Sequence, residues 1–298
     1  MRIPLCRFLQ IGLLFLSFEG VLISSLEAQQ PAATVERKAA PELFSRIVLL
    51  GASATAGFDM SQPLGGPKAL EYRFSNFVEA ALAGTHEPVI TQASALLFLD
   101  AQNTLEQKIT ATVASKPTLV IGLDALFWFC YGSGLSSEQR LSRLESGLQQ
   151  LERIEGPLVL GDIPDASGAV GGILSREEMP ERSVLEQCNE RLKKWAAGRK
   201  NVVVFPLASL MAVATSNEEL ILPYGKWDKG KSTVLLRSDK LHPSRHGLAA
   251  LAVGVLDAAG SLATPRLPES SIVRDLDLVY ATGAVQAPAI VSPVRLPE

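Results

Sequence analysis

The sequence predicts an α/β protein: a three-layer α/β/α sandwich built on a mostly parallel, five-stranded sheet. Two observations predict it. Short apolar runs without polar alternation recur along the 298 residues, as in strands buried on both faces. Segments with helical period and capping signals separate those runs, so each strand is followed by a helix that can cover the sheet.

Taken in order, Arg46–Leu50 (RIVLL) is the first strand and ends at Gly51. Leu70 to Leu82 reads as a helix, ending before Gly84. Pro88–Thr91 is a weaker strand, and Asp100 to Ala114 a helix. Thr118–Gly122 (TLVIG) is the third strand. Leu141, Leu144, Leu148 and Leu151 mark one face of the next helix, and Ser136 with Gln139 forms a capping-box pattern before it. Leu158–Leu160 is the fourth strand. Ser183 with Glu186 is a second capping-box pattern, ahead of a stripe of Val184, Leu185, Cys188, Leu192 and Trp195 that stops at Gly198. Asn201–Phe205 (NVVVF) is the fifth strand. A last helix runs from Pro243 to about Ala259.

The flanks differ from this domain, which spans residues 43–262. Residues 1–28 read as a secretory signal: Arg2 and Arg7 precede an apolar stretch that is too short to span a bilayer. Cleavage after Ala28 is expected to leave a secreted or periplasmic protein with no stable membrane span. Residues 29–42 form a polar, Ala/Pro-rich linker. Residues 263–298 hold five prolines and no helical period, and read as a tail packed on the domain or loosely ordered.

Composition narrows the function. Lys and Arg number 28 against 31 Asp and Glu, a net charge of −3 without the basic excess of a nucleic-acid binder. Three cysteines are too few for a disulfide scaffold, and no Cys/His spacing resembles a metal site. Loss of the signal removes Cys6 and leaves Cys130 and Cys188, either two buried thiols or a disulfide.

Ligands of open α/β sheets sit beyond the carboxyl ends of the strands. Just past the first strand stands Gly51-Ala52-Ser53-Ala54-Thr55-Ala56-Gly57. A serine on such a strand-to-helix turn exposes its oxygen beside unpaired backbone N–H groups. It is either a nucleophile or a capping serine; the spacing fits neither the dinucleotide nor the P-loop pattern. Before the last helix stands Asp239-Lys240-Leu241-His242-Pro243-Ser244-Arg245-His246-Gly247. His242 lies on the loop side, with Asp239 three residues back to orient its ring. His86 falls on the far side of the sheet and His246 inside the helix. The alternative is a helix cap with a nearby surface histidine.

Together the two segments resemble the SGNH (GDSL-like) hydrolase family. Gly51-Ala52-Ser53 with Gly57-Phe58 looks like its first block, with Ala52 where Asp is common. Asp239-x-x-His242-Pro243 with Gly247 looks like its last. The resemblance implies a flavodoxin-like fold and ester hydrolysis by Ser53, His242 and Asp239, without metal or organic cofactor. The substrate expected is a small-molecule or glycan ester. The alternative is a weak or inactive envelope binding protein. In the family, a backbone N–H and an Asn side chain join the serine N–H around the oxyanion. Here Ala93 or Ser94 stands for the former, and Asp124 occupies the Asn place. An ionised Asp124 repels an oxyanion; a protonated one donates to it only if burial lifts its pKa well above about 3.9. Its bland role is to cap a nearby loop.

Other candidates are Leu126-Phe127-Trp128-Phe129 as pocket wall or core, Asp162 and Asp165 as site carboxylates or turn formers, and Trp227 beside Tyr224 as a sugar-stacking platform.

Overall fold

Five apolar segments become the parallel sheet of a computed structural model that describes residues 41–63, 65–216, 220–222, 225–227 and 232–285. The expected signal, nearly all of the linker, Tyr224 and the end of the tail (286–298) lie outside the described residues. The strands are β1 (Ile47–Gly51), β2 (Ile90–Ala93), β3 (Leu119–Gly122), β4 (Leu158–Gly161) and β5 (Val202–Phe205), ordered β2-β1-β3-β4-β5. All four pairings are parallel. β1, β3 and β4 are buried throughout, which explains their unbroken apolar character. β2, at an edge, is only half-buried, and its weaker apolar signal shifted its expected bounds by two residues.

The helices are α1 (Ser53–Ala56), α2 (Pro67–Leu70), α3 (Phe74–Ala81), α4 (Ala101–Ala114), α5 (Phe127–Cys130), α6 (Ser137–Leu151), α7 (Arg182–Ala197), α8 (Leu207–Ser216), α9 (Ser232–Leu235), α10 (Arg245–Gly260) and α11 (Leu276–Val285). A short antiparallel pair, β6 (Leu220–Leu222) and β7 (Gly225–Trp227), lies apart from the main sheet. Alternate strand residues face opposite layers. Ile47, Leu49, Leu119 and Ile121 pack against α3, α10 and α11. Leu50, Val120, Leu158 and Leu160 pack against α4 to α7. Two cores, one per sheet face, make the three-layer sandwich. No helix among the described residues is long and apolar enough to cross a membrane.

Several elements differ from expectation. The helix expected over 70–82 is two pieces, α2 and α3, because Arg73 is extended between them. The break lets the Tyr72 ring lie 4.0 Å under the Arg237 guanidinium. Gly57 (φ +92°) packs against it: a Cβ there would meet the Ala69 carbonyl oxygen at 2.3 Å. The capping box of Ser136 and Gln139 forms. That of Ser183 and Glu186 does not, because α7 already begins at Arg182. The last helix starts at Arg245, capped by the Ser244 side chain on Gly247 N–H. The tail contains α11, which packs against α3 and α10, with Tyr280 stacked 4.0 Å from His246.

Cys130 and Cys188 are free and buried. Their sulfurs lie 3.1 Å apart, and the hydrogen bond to Cys188 together with burial pushes the Cys130 thiol up. Arg140, also buried, reaches the carbonyls of Cys130 and Gly132 at 2.6 and 2.9 Å and so ties α6 to the end of α5.

Candidate active site

β1 and β3 are neighbours, yet the chain leaves β1 for β2 on one side and reaches β3 on the other. Such a switch in strand order opens a crevice at the carboxyl ends. Ser53 follows β1 there, as the first residue of α1, and Asp124 follows β3.

The long excursion from β5 through α8 and α9 brings residues 237–242 to the same rim. This segment is a tight turn. Arg237 N–H donates to the His242 carbonyl at 2.9 Å, Lys240 N–H to the Arg237 carbonyl at 3.0 Å, and Lys240 takes φ +55°. The turn folds Asp239 back onto His242. One carboxylate oxygen accepts the Leu241 and His242 backbone N–H groups at 3.0 and 2.9 Å. The other lies 3.0 Å from His242 Nδ1. His242 Nε2 lies 2.8 Å from Ser53 Oγ, across 189 residues of sequence.

Asp239 is 7% exposed and His242 3%. Burial pushes the Asp239 carboxyl up. The hydrogen bond and charge of the His242 ring, with the two backbone N–H groups, outweigh it and hold the carboxyl below its ordinary value. A carboxylate on Nδ1 selects the tautomer that leaves Nε2 as acceptor for a hydroxyl proton.

One further contact fixes the imidazole, and Arg237 braces it; neither interaction was foreseen from the sequence. The Phe58 ring stacks on His242, centroids 4.1 Å apart and planes at 15°. Arg237 holds Phe58 from behind: it donates to the Phe58 carbonyl and lies 2.7 Å from Asp59. The Ser61 hydroxyl, ahead of Arg237, brings the Asp59 carboxyl down to about 2 against the effect of burial.

Asp124 stands in the place of the family's oxyanion Asn and takes the other role offered for it, a loop cap that accepts. Its oxygens take the Ala52 N–H at 2.9 Å, the Ala54 N–H at 2.8 Å and the Thr55 hydroxyl at 2.6 Å. Three donors of one turn converge on one side chain, so Asp124 is the clasp of the turn that carries Ser53. Gly51 makes room for it: a Cβ there would sit 2.2 Å from the carboxylate. The N–H groups on either side of Ser53 are thereby taken, while the Ser53 N–H meets no acceptor among the described residues. Ser94 N–H donates to the Gly51 carbonyl at 3.0 Å. Ala93 pairs with Gly51 at the end of β2 and does not line the pocket around Ser53.

That pocket is partly open to solvent and holds a cavity of about 90 Å³. Ser53, Asp124 and His242 are the polar side chains among its described lining; Leu, Met, Ala, Phe, Pro and Gly residues supply the rest. Phe127 forms part of the wall, whereas Phe129 and Leu126 are core and Trp128 lies beside Phe98. Asp162 accepts Ala208 N–H at the start of α8, and Asp165 accepts Ser167 N–H, so both act in turns. His86 Nδ1 sits against the Glu87 carbonyl, away from this rim. The Trp227 side chain lies outside what the structure describes. No group of three or more His, Cys, Asp or Glu side chains able to hold a metal occurs among the described residues.

No family model matches the sequence, and no curated protein matches it. Solved structures similar to this chain include a lipase/acylhydrolase from Enterococcus faecalis, 20% identical, covering 72% of this chain and 95% of that one, TM-score 0.47. An acetylxylan esterase from Geobacillus stearothermophilus, in a catalytic mutant, is 15% identical over 72% and 94%, TM-score 0.45. A psychrotrophic esterase from Pseudoalteromonas sp. is 14% identical over 72% and 96%, TM-score 0.40. At such identities, the chemistry of this chain has to be read from its own residues.

Proposed function

We propose that the protein is a serine ester hydrolase of the SGNH type, exported by its first 28 residues and acting on carboxylic esters outside the cytoplasm. One observation carries the catalytic reading. Ser53 Oγ, His242 Nε2, His242 Nδ1 and the Asp239 carboxylate form one hydrogen-bonded line, at 2.8 and 3.0 Å. A hydroxyl, a base and an orienting carboxylate in that order are what acyl transfer requires.

Ser53 Oγ attacks the ester carbonyl as its proton passes to His242 Nε2. The carbonyl oxygen gathers negative charge and is met by the Ser53 N–H. The tetrahedral centre collapses, and the imidazolium returns the proton to the departing alcohol. An acyl group then remains on Ser53. Water gives its proton to the same nitrogen as it attacks the acyl carbon, and the imidazolium returns that proton to Ser53 Oγ as the acid leaves, restoring serine and base. Asp239 holds the ring in register through both steps.

A second reading, a non-catalytic binding protein of the cell envelope, is favoured by the clasp. Asp124 consumes the Ala52 and Ala54 N–H groups and supplies no donor to the oxyanion. Loss of one such donor typically slows turnover by about 10²–10³. Hydrolysis of p-nitrophenyl butyrate separates the readings. The esterase reading expects turnover that disappears in Ser53→Ala and His242→Ala. No turnover by the folded wild type, or turnover that survives Ser53→Ala, rejects it.

A further inference from the structure

From the pocket beside Ser53 we infer that the substrate carries an aliphatic acyl chain, longer than acetyl, and that this chain lies between α8 and α10. This inference rests on the ester-hydrolase reading and names its substrate class. Beyond Ser53 the pocket runs along Leu210, Met211 and Ala214 of α8, Leu236, and Ala250 and Leu251 of α10. None of these side chains bears a polar group other than the thioether of Met211. The three polar side chains of the described lining are already engaged: Ser53 with His242, His242 with Asp239, and Asp124 with its turn. A sugar ring placed here would find no free side-chain partner for its hydroxyls among the described residues of the lining, which is costly in an apolar surrounding. An alkyl chain gains from the same surface.

The chain is assigned to the acyl side for a chemical reason. The acyl group stays bonded to Ser53 through both steps, whereas the alcohol must leave and water must enter before the second. An apolar chamber continuous with the nucleophile suits the part that stays. Met211 and Ala214 present little surface elsewhere, at 7% and 9% exposure, so the chamber is set within the packing of α8.

The test compares p-nitrophenyl acetate, butyrate, hexanoate and octanoate with the whole protein. Burying a methylene is equivalent to roughly fourfold in kcat/KM. Octanoate is therefore expected to exceed acetate by at least tenfold. Ala214→Phe fills the chamber and is expected to lower the octanoate-to-acetate ratio by tenfold or more. The ratio is unaffected by any fraction of protein that fails to fold. Acetate as the preferred ester, or a ratio unmoved by Ala214→Phe, overturns the inference. Methyl octanoate against octyl acetate tests the side: preference for octyl acetate puts the chain on the alcohol and overturns the acyl assignment. Titration of methyl octanoate into Ser53→Ala by calorimetry reads the chamber without chemistry. Binding there, weakened by Ala214→Phe, supports the chamber even if the hydrolase reading fails; absence of binding overturns it even if short esters are cleaved.

Discussion

Replacing Asp124 by Asn exchanges one carboxylate oxygen for an amide NH2. Were Asp124 a stand-in for an oxyanion-binding Asn, that change would improve catalysis. The geometry predicts the opposite. The amide oxygen can keep the Ala52 N–H and the Thr55 hydroxyl, now at 2.9 and 2.6 Å. The NH2 group then faces the Ala54 N–H, donor against donor, across 2.8 Å. One hydrogen bond to a charged acceptor is lost, worth about 1.5–3 kcal/mol, and two others lose the assistance of the charge. The total is about 2–4 kcal/mol. For a domain of this size that lowers Tm by about 5–15 °C. Ser53 lies between the two N–H groups that the clasp holds, and a displacement near 1 Å can cost about 10²-fold. Turnover of p-nitrophenyl esters at 20 °C, well below unfolding, should fall about 10–100-fold in kcat. Differential scanning calorimetry and steady-state kinetics on the same preparation check both. An Asn variant as stable as the wild type with raised kcat would refute the clasp and return Asp124 to the oxyanion site.

The other predictions concern the base, the rim and the buried thiols. Asp239→Asn removes the acceptor that selects the His242 tautomer, and kcat should drop by about 10⁴ with the fold kept; a loss below tenfold would contradict the relay. Asp59 and Asp239 both have folded values below their unfolded ones. Stability from them is thus present above the ordinary carboxylate range and lost as pH falls from about 4 toward 2. Ser61→Ala removes the main cause of the Asp59 shift, so the urea midpoint of this variant should fall less steeply over that window; an unchanged slope counts against it. Diamide should oxidise Cys130 and Cys188 to a disulfide, removing both thiol hydrogens, because the sulfurs are already 3.1 Å apart. Closing a loop across 58 residues stabilises by about 4 kcal/mol, or about 10 °C in Tm. Two alkylatable thiols after treatment and unfolding would contradict this.

What the sequence disclosed and what it hid follow from the range of the interactions. β1, β3 and β4 are buried on both faces, and burial on both faces writes itself as a continuous apolar run. Ser53 stood out because it follows a buried strand between glycines. His242 stood out because Asp239 sits three residues before it, a spacing one turn can close. The partners of Asp124 lie about 70 residues away, so the sequence offered loop capping as one of its two roles without showing which loop it caps. The hold of Arg237 on Phe58 and Asp59 spans 178 residues or more, and was equally invisible. α11 was missed because prolines weighed on the whole tail, yet Pro265 and Pro268 precede the helix and none interrupts it. Ser183 showed the reverse error: a capping pattern that is locally sound was overridden by a helix that begins two residues earlier, with Glu181 at its cap.

Labelling with an alkyl fluorophosphonate, read by peptide mass spectrometry, probes the hydroxyl–imidazole pair most directly. The predicted result is a single adduct on Ser53 that His242→Ala abolishes. An unlabelled Ser53 in the folded protein, or an adduct that forms equally well without the imidazole, would contradict the account.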